Sequence, residues 1–244
     1  MHGSALALAL AASVVTPAPY APQERMQYTI TYVGLPMGKA RLSVGTPEGT
    51  VLPVLLEAKT SGVVGFVDVK EQLASYVDTA TGLPRTALID SIEPNYRRVT
   101  YTRFDREANR ATVWDRGRSE TTDEVAVPPG TLDFVALVFR LRSLPLGQGA
   151  RHTFPVLFGK TISTVVTEVV GRERLSTKAG TFLAVKVKVP TGFNGKFSEK
   201  SPTFVWFSDD ARRIVVRIST DFAIGRAFAD LVSYEPGAAA SAGN

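Results

Sequence analysis

The chain has 244 residues, 44% of them apolar and 21% charged, with 28 Lys and Arg against 23 Asp and Glu and a formal net charge of +5. This is globular composition with enough apolar material for a sizeable core, and the basic excess is too small and too scattered to mark a nucleic-acid binder. The absence of cysteine excludes disulfides, thiol catalysis, iron–sulfur clusters and a cysteine-borne lipid anchor.

Ala5 to Val15 reads ALALALAASVV and is followed by Thr16, Pro17, Ala18, Pro19, Tyr20 and Ala21. An uncharged run of small apolar residues, too short to span a membrane, predicts a secretory signal peptide over 1–21, cleaved between 12 and 21, and so a periplasmic protein. No later stretch is long and uncharged enough for a membrane-spanning helix, so an integral membrane protein is not expected. One β-rich domain is expected over 26–236, and the Ala/Ser/Gly-rich tail, 237–244, is predicted to be disordered.

From Met26 the hydrophobic period is two, the signature of antiparallel strands with one dry and one wet face. Tyr28, Ile30 and Tyr32 alternate with Thr29 and Thr31; Ala40, Leu42 and Val44 alternate with Arg41 and Ser43. Further strands are predicted over 52–59, 70–78, 85–92, 96–104 and 110–114, then over 151–158, 160–171, 180–189, 203–208, 213–220 and 226–234. Turns are predicted at Thr81 to Pro84, Glu93 to Asn95 and Asp105 to Asn109, and at Asp209–Asp210, where paired aspartates suit a tight turn better than a cation site. One segment, 131–143, repeats apolar residues with helical period between Pro128–Pro129 and Pro145. Being apolar over most of its girth, this helix is expected to plug the concave side of a strongly curved antiparallel sheet, a half-barrel or open barrel.

Acid–base and nucleophilic chemistry lacks its usual parts. Beyond the leader the one histidine is His152, and no His/Asp/Glu set has metal-ligand spacing. Neither a nucleophile elbow, a P-loop nor a dinucleotide fingerprint occurs. The expectation is a protein that is not an enzyme and needs no cofactor or metal.

Two local compositions stand out as candidate binding surfaces. Arg97 to Arg118 holds seven arginines interleaved with Tyr96, Tyr101, Phe104 and Trp114, so Tyr96, Arg98, Tyr101 and Trp114 are candidates for contact with anionic or apolar partners. The plainer reading is a solvated hairpin face that protects sheet edges. Phe193, Phe197, Phe204, Trp206 and Phe207 form a second group, of which Phe193 and Trp206 could gate an apolar cavity or simply pack. Phe134 and Phe139 on the helix would line such a cavity from inside.

Several blocks resemble a known family: Phe104-Asp105-Arg106-Glu107, Leu132-Asp133-Phe134-Val135-Ala136-Leu137 running on to Arg142-Ser143-Leu144-Pro145, Lys178-Ala179-Gly180-Thr181-Phe182, and Trp206-Phe207-Ser208-Asp209-Asp210-Ala211-Arg212-Arg213-Ile214, closed by Leu231-Val232-Ser233-Tyr234. Together they resemble the bacterial envelope family called domain of unknown function 3108, over about Gln27 to Pro236. The resemblance implies an exported, strongly curved antiparallel sheet similar to the half-barrels that carry lipoproteins or lipids across the periplasm, and it implies no reaction. Two functions are carried forward. The first is a non-catalytic periplasmic binder or carrier of a lipid or other envelope amphiphile; the second is a structural or assembly factor that contacts an envelope protein, through a strand edge or through the arginine-rich hairpin.

Overall fold

The computed structural model describes residues 21–60, 68–193, 196–221 and 225–238, with only the backbone described where these ranges fall within 191–201. The expected signal peptide and all but the start of the expected tail therefore lie outside the described residues.

Fourteen strands and one helix follow in chain order. The first run is β1 (Arg25–Tyr32), β2 (Leu35–Val44), β3 (Val51–Thr60), β4 (Lys70–Asp78), β5 (Pro84–Glu93), β6 (Tyr96–Asp105), β7 (Arg110–Arg116) and β8 (Glu120–Ala126). After α1 (Phe134–Arg142) come β9 (Arg151–Phe158), β10 (Thr161–Thr177), β11 (Gly180–Phe193), β12 (Lys196–Ser208), β13 (Val215–Asp221) and β14 (Arg226–Glu235). All strands join one antiparallel sheet in the order β8-β7-β6-β5-β4-β3-β2-β1-β14-β13-β12-β11-β10-β9. Two meanders thus meet where β1 pairs β14, from Arg25 opposite Glu235 to Tyr32 opposite Ala227.

The alternation read from the sequence fixes which side faces the helix. Met26, Tyr28, Leu42, Val54, Leu73 and Val77 are buried and form one cluster with Leu137, Phe139 and Leu141 of α1. The sheet wraps α1, as the near-complete apolar girth of the helix requires. Burial at this level, at roughly 25 cal/mol per Å² of apolar surface, is the main term holding the fold together.

The helix is shorter than the predicted 131–143 because both ends are capped inside that range. Asp133 sits in extended backbone as N-cap, its Oδ1 accepting the Ala136 N–H at 2.8 Å. Its Oδ2 accepts the Ser75 hydroxyl of β4 at 2.5 Å, which ties the start of the helix to the sheet. At the other end Arg142 is fully buried beneath the sheet, where its cation also suits the negative end of the helix dipole. It donates two hydrogen bonds to Glu24, at 2.6 and 2.7 Å, and others to the carbonyls of Arg212 and Arg213.

No backbone ladder joins β8 to β9, so the sheet is curved but not hydrogen-bonded into a closed barrel. Side chains fill the seam instead. Lys160, in the β9–β10 turn, reaches Asp123 and Thr121 of β8 at 2.5 and 2.6 Å. Leu157 of β9 packs with Phe104, Ala111 and Val113. Leu132 also pairs with β9, donating to Pro155 O and accepting from the Leu157 N–H. Pro155 and this cover leave little of the β9 edge for strand addition, the interaction expected of an assembly factor.

Three sequence expectations need correction. β8 was not predicted, because Glu120-Thr-Thr-Asp-Glu shows little apolar alternation; it is a mostly exposed edge strand. β10 does not stop at Gly171 but runs on through a bulge between Val169 and Gly171. The strands predicted over 180–189 and 203–208 extend toward each other, to Phe193 and from Lys196, with Phe193 opposite Lys196.

Candidate functional site

Among the described residues, side chains occupy most of the space between α1 and the sheet. A cavity of about 20 Å³ remains near the start of the helix, bordered by Leu73, Ile89, Phe104, Phe134 and Leu157 among others. That is the room of about one water, far less than an acyl chain needs. Phe139 is fully buried and Phe134 borders this remnant, so both serve packing.

The opposite face carries the larger concavity. A trough of about 440 Å³ crosses β1 to β5 and is lined by Lys39, Arg41, Glu57, Lys59, Lys70 and Asp90, with Gln27, Gln72 and Ile92. These residues alternate with Leu42, Leu56, Leu73 and Ile89, which pack on the α1 side, so by the pleat they point outward. Lys39 stands directly opposite Lys59, and Lys59 directly opposite Lys70, giving three ammonium groups in one row across three strands. Gly38 permits this approach, since a Cβ there would come within 2.1 Å of the Lys59 carbonyl oxygen.

The carboxylates of the trough are already engaged. Glu57 accepts Arg41, and Asp90 accepts Arg97 through two bonds at 2.9 and 2.7 Å that hold its pKa below the usual carboxylate range. Glu71 also borders the trough, but it is flanked in register by Ala58 and Ser91 of the inner rows, so its side chain points to the helix side of the sheet. There burial, and then the nearby Glu93, raise its pKa. None of the three lysine side chains has an ion pair or hydrogen bond among the described residues.

An aromatic patch lies beside the trough on the same face. Asp90 lies opposite Val99, and Val99, Tyr101, Trp114 and Arg116 line a second hollow of about 250 Å³. Tyr101 and Trp114 have ring centroids 5.4 Å apart, Arg103 lies over the Trp114 ring, and Tyr101 keeps 39% of its surface exposed.

The eight sequence candidates therefore do not form one site. Tyr101 and Trp114 come together on the outer face, whereas Arg98 turns to the helix side and binds Asp115, lowering the Asp115 pKa. Tyr96 lies under Arg118 at the start of β6. Trp206 is buried in a small outer cluster with Leu175, Ala184 and Val216, its indole N–H donating to Glu173. The side chain of Phe193 lies outside the described residues.

The arginine-rich run, expected as a surface for acidic partners, is largely consumed within the chain. Arg97, Arg98, Arg110 and Arg116 pair with Asp90, Asp115, Glu124 and Glu120. Arg106 lies over Phe104 and donates to the Pro84 and Thr131 carbonyls. Sequence reading missed Lys39, Lys59 and Lys70, which lie in three separate segments and become neighbours through strand register. The His152 Nε2–H donates to the Pro145 carbonyl at 2.9 Å, and no group of three His, Asp or Glu among the described residues could hold a metal.

Fold and surface together define a barrel-like antiparallel sheet plugged by its own helix, with its open concavities on the outside. The chain belongs to the family described as protein of unknown function DUF3108, whose model matches residues 27–232. Among solved structures it is similar to a beta-barrel-like protein of the family DUF1849 from Brucella abortus, at 10% identity and a TM-score of 0.59, over 88% of this chain and 98% of that one. A candidate exported protein with a YmcC-like fold from Bacteroides fragilis matches at 10% identity and a TM-score of 0.38, over 90% and 99% of the two chains. No curated protein matches the sequence.

The family blocks acquire a physical meaning here. Asp133 caps α1, Arg106 fastens the segment before it, and the carbonyls of Arg212 and Arg213 receive Arg142. Gly180, with φ of 128°, makes the β10–β11 turn that side-chain-bearing residues rarely adopt. These positions fasten the plug to the sheet.

Proposed function

We propose that this is a non-catalytic envelope protein that binds an amphiphile on the outer face of its sheet, the plugged interior serving as a rigid support. The observation that carries the reading is that the 440 Å³ trough and the hollow at Tyr101 and Trp114 lie side by side on one face, Asp90 of the first opposite Val99 of the second. One end offers cations for a polar head. The other offers Ile92, 37% exposed, then Val99, Tyr101 and Trp114 for an apolar chain. The periplasmic location rests on the leader-like run from Ala5 to Val15. The absence of an enzymatic role is part of the proposal and is supported by the His152 ring, which among the described residues donates to the Pro145 carbonyl and meets no acid.

Protein purified from its own cell envelope and analysed by native mass spectrometry should carry a lipid-sized adduct. Tyr101→Ser with Trp114→Ser should release it, while Phe134→Leu, at the interior remnant, should not. Protein that never carries an adduct and binds no amphiphile in vitro would defeat the proposal.

A further inference from the structure

We infer that Lys39, Lys59 and Lys70 form a subsite for the phosphate of an anionic lipid headgroup. This names the polar end of the ligand just proposed and rests on that reading. Like charges directly opposite on neighbouring strands destabilise a sheet, and here they occur twice in succession, Lys39 against Lys59 and Lys59 against Lys70. The chain supplies acids close by yet spends them elsewhere: Glu57 is taken by Arg41, Asp90 by Arg97, and Glu71 faces the helix side. The row thus keeps three net positive charges in a concavity, with the amides of Gln27 and Gln72 beside it.

Phosphate suits this row for geometric reasons. Adjacent strands lie about 4.8 Å apart, so neighbouring ammonium groups on flexible stems can converge on one tetrahedral anion from both sides. A lysine binds phosphate as a mobile point charge, where a planar carboxylate favours the arginine fork already used by Glu57 and Asp90. A lipid source, rather than free phosphate, is favoured by the apolar side chains that lie beside the row on the same face, Ile92, Val99, Tyr101 and Trp114.

The test is flotation of the full chain with three kinds of vesicle: phosphatidylcholine alone, and phosphatidylcholine with about a third replaced by either phosphatidylglycerol or oleate, giving the two anionic surfaces similar charge. Wild type should bind the phosphatidylglycerol vesicles best. Lys39→Gln, Lys59→Gln and Lys70→Gln combined should weaken that binding on the order of a hundredfold, from about 1 kcal/mol per lysine near an anionic surface. A control removing the same charge on α1 and the β10–β11 hairpin, Arg140→Gln, Arg174→Gln and Lys178→Gln, should lose far less. Equal losses in the two triple variants, or none in the lysine variant, would overturn the subsite and leave the outer-face reading standing. Equal binding to oleate vesicles would overturn phosphate as the recognised group. Inorganic phosphate that binds wild type as tightly as the vesicles do would overturn the lipid source. Binding to no vesicle at all would remove the subsite and the reading beneath it together.

Discussion

The inner and outer faces of this sheet treat charge in opposite ways. Inside, Arg142 and Glu24 are almost fully buried, and each makes several hydrogen bonds. Outside, three lysines stand in a row with their acids diverted to arginines. The arginine-rich hairpins sharpen the contrast, since they hold more cations than the row and yet most are neutralised by acids of the same or adjacent strands. Counting basic residues along a sequence therefore misplaces the surface where charge is left over, because register decides which cations find partners.

The largest effect should come from the inside. Glu24→Gln leaves Arg142 buried without a counter-charge, and a loss of about 3–5 kcal/mol is expected by denaturant unfolding. Replacing both residues by apolar ones of similar size should recover much of that loss. If the single change costs less than about 1 kcal/mol, the contrast between the faces fails at its strongest point.

Asp133 is the next test, because burial raises its pKa to about 6 despite the donated bonds from Ala136 and Ser75. A carboxyl whose folded value lies above the unfolded 3.8 favours the fold fully at low pH, and that contribution is lost as pH rises from about 4 through 6. Asp133→Asn keeps the cap acceptor and cannot ionise. It should match wild type near pH 4 and exceed it by about 2–3 kcal/mol near pH 8 in unfolding titrations. A pH-independent difference would show that Asp133 does not titrate in this range.

Outer-face changes should be smaller. Lys59→Glu places an acid between Lys39 and Lys70, and in the absence of ligand should stabilise the protein by roughly 0.2–1 kcal/mol. Arg110→Ala removes an exposed pair with Glu124 and should shift stability by less than about 0.5 kcal/mol. A destabilising Lys59→Glu would mean that the row is not under mutual repulsion.

Most strands and the helix were legible because each buried face alternates cleanly and prolines bracket 131–143. β8 was hidden because its pattern is mostly exposed, and the end of β10 was misplaced because Gly171, where the predicted strand ends, serves a bulge. The candidate site was legible only in its aromatic half. Tyr101 and Trp114 sit in one arginine-rich stretch, but the lysines are separated by loops whose lengths alone do not reveal that Lys39, Lys59 and Lys70 share a row. Among the described residues the expected inner groove is reduced to a cavity of about 20 Å³, since the side chains of α1 occupy the space that the curvature of the sheet creates.

The pairing of β1 with β14 has a consequence for assembly of the chain. β14, last in chain order among the described strands, lies in the middle of the sheet, so until it arrives two separate ribbons each expose an unpaired edge at their future joint. Trimming β14 would split the molecule at its centre, whereas trimming β8 would shorten one rim. With the Ala238 N–H bonded to the Pro22 carbonyl at 2.7 Å, a circular permutant that links Pro22 to Ala238 and opens between β8 and α1, at Pro129–Gly130, would turn that long-range joint into a local hairpin without breaking another strand pair, and should fold faster.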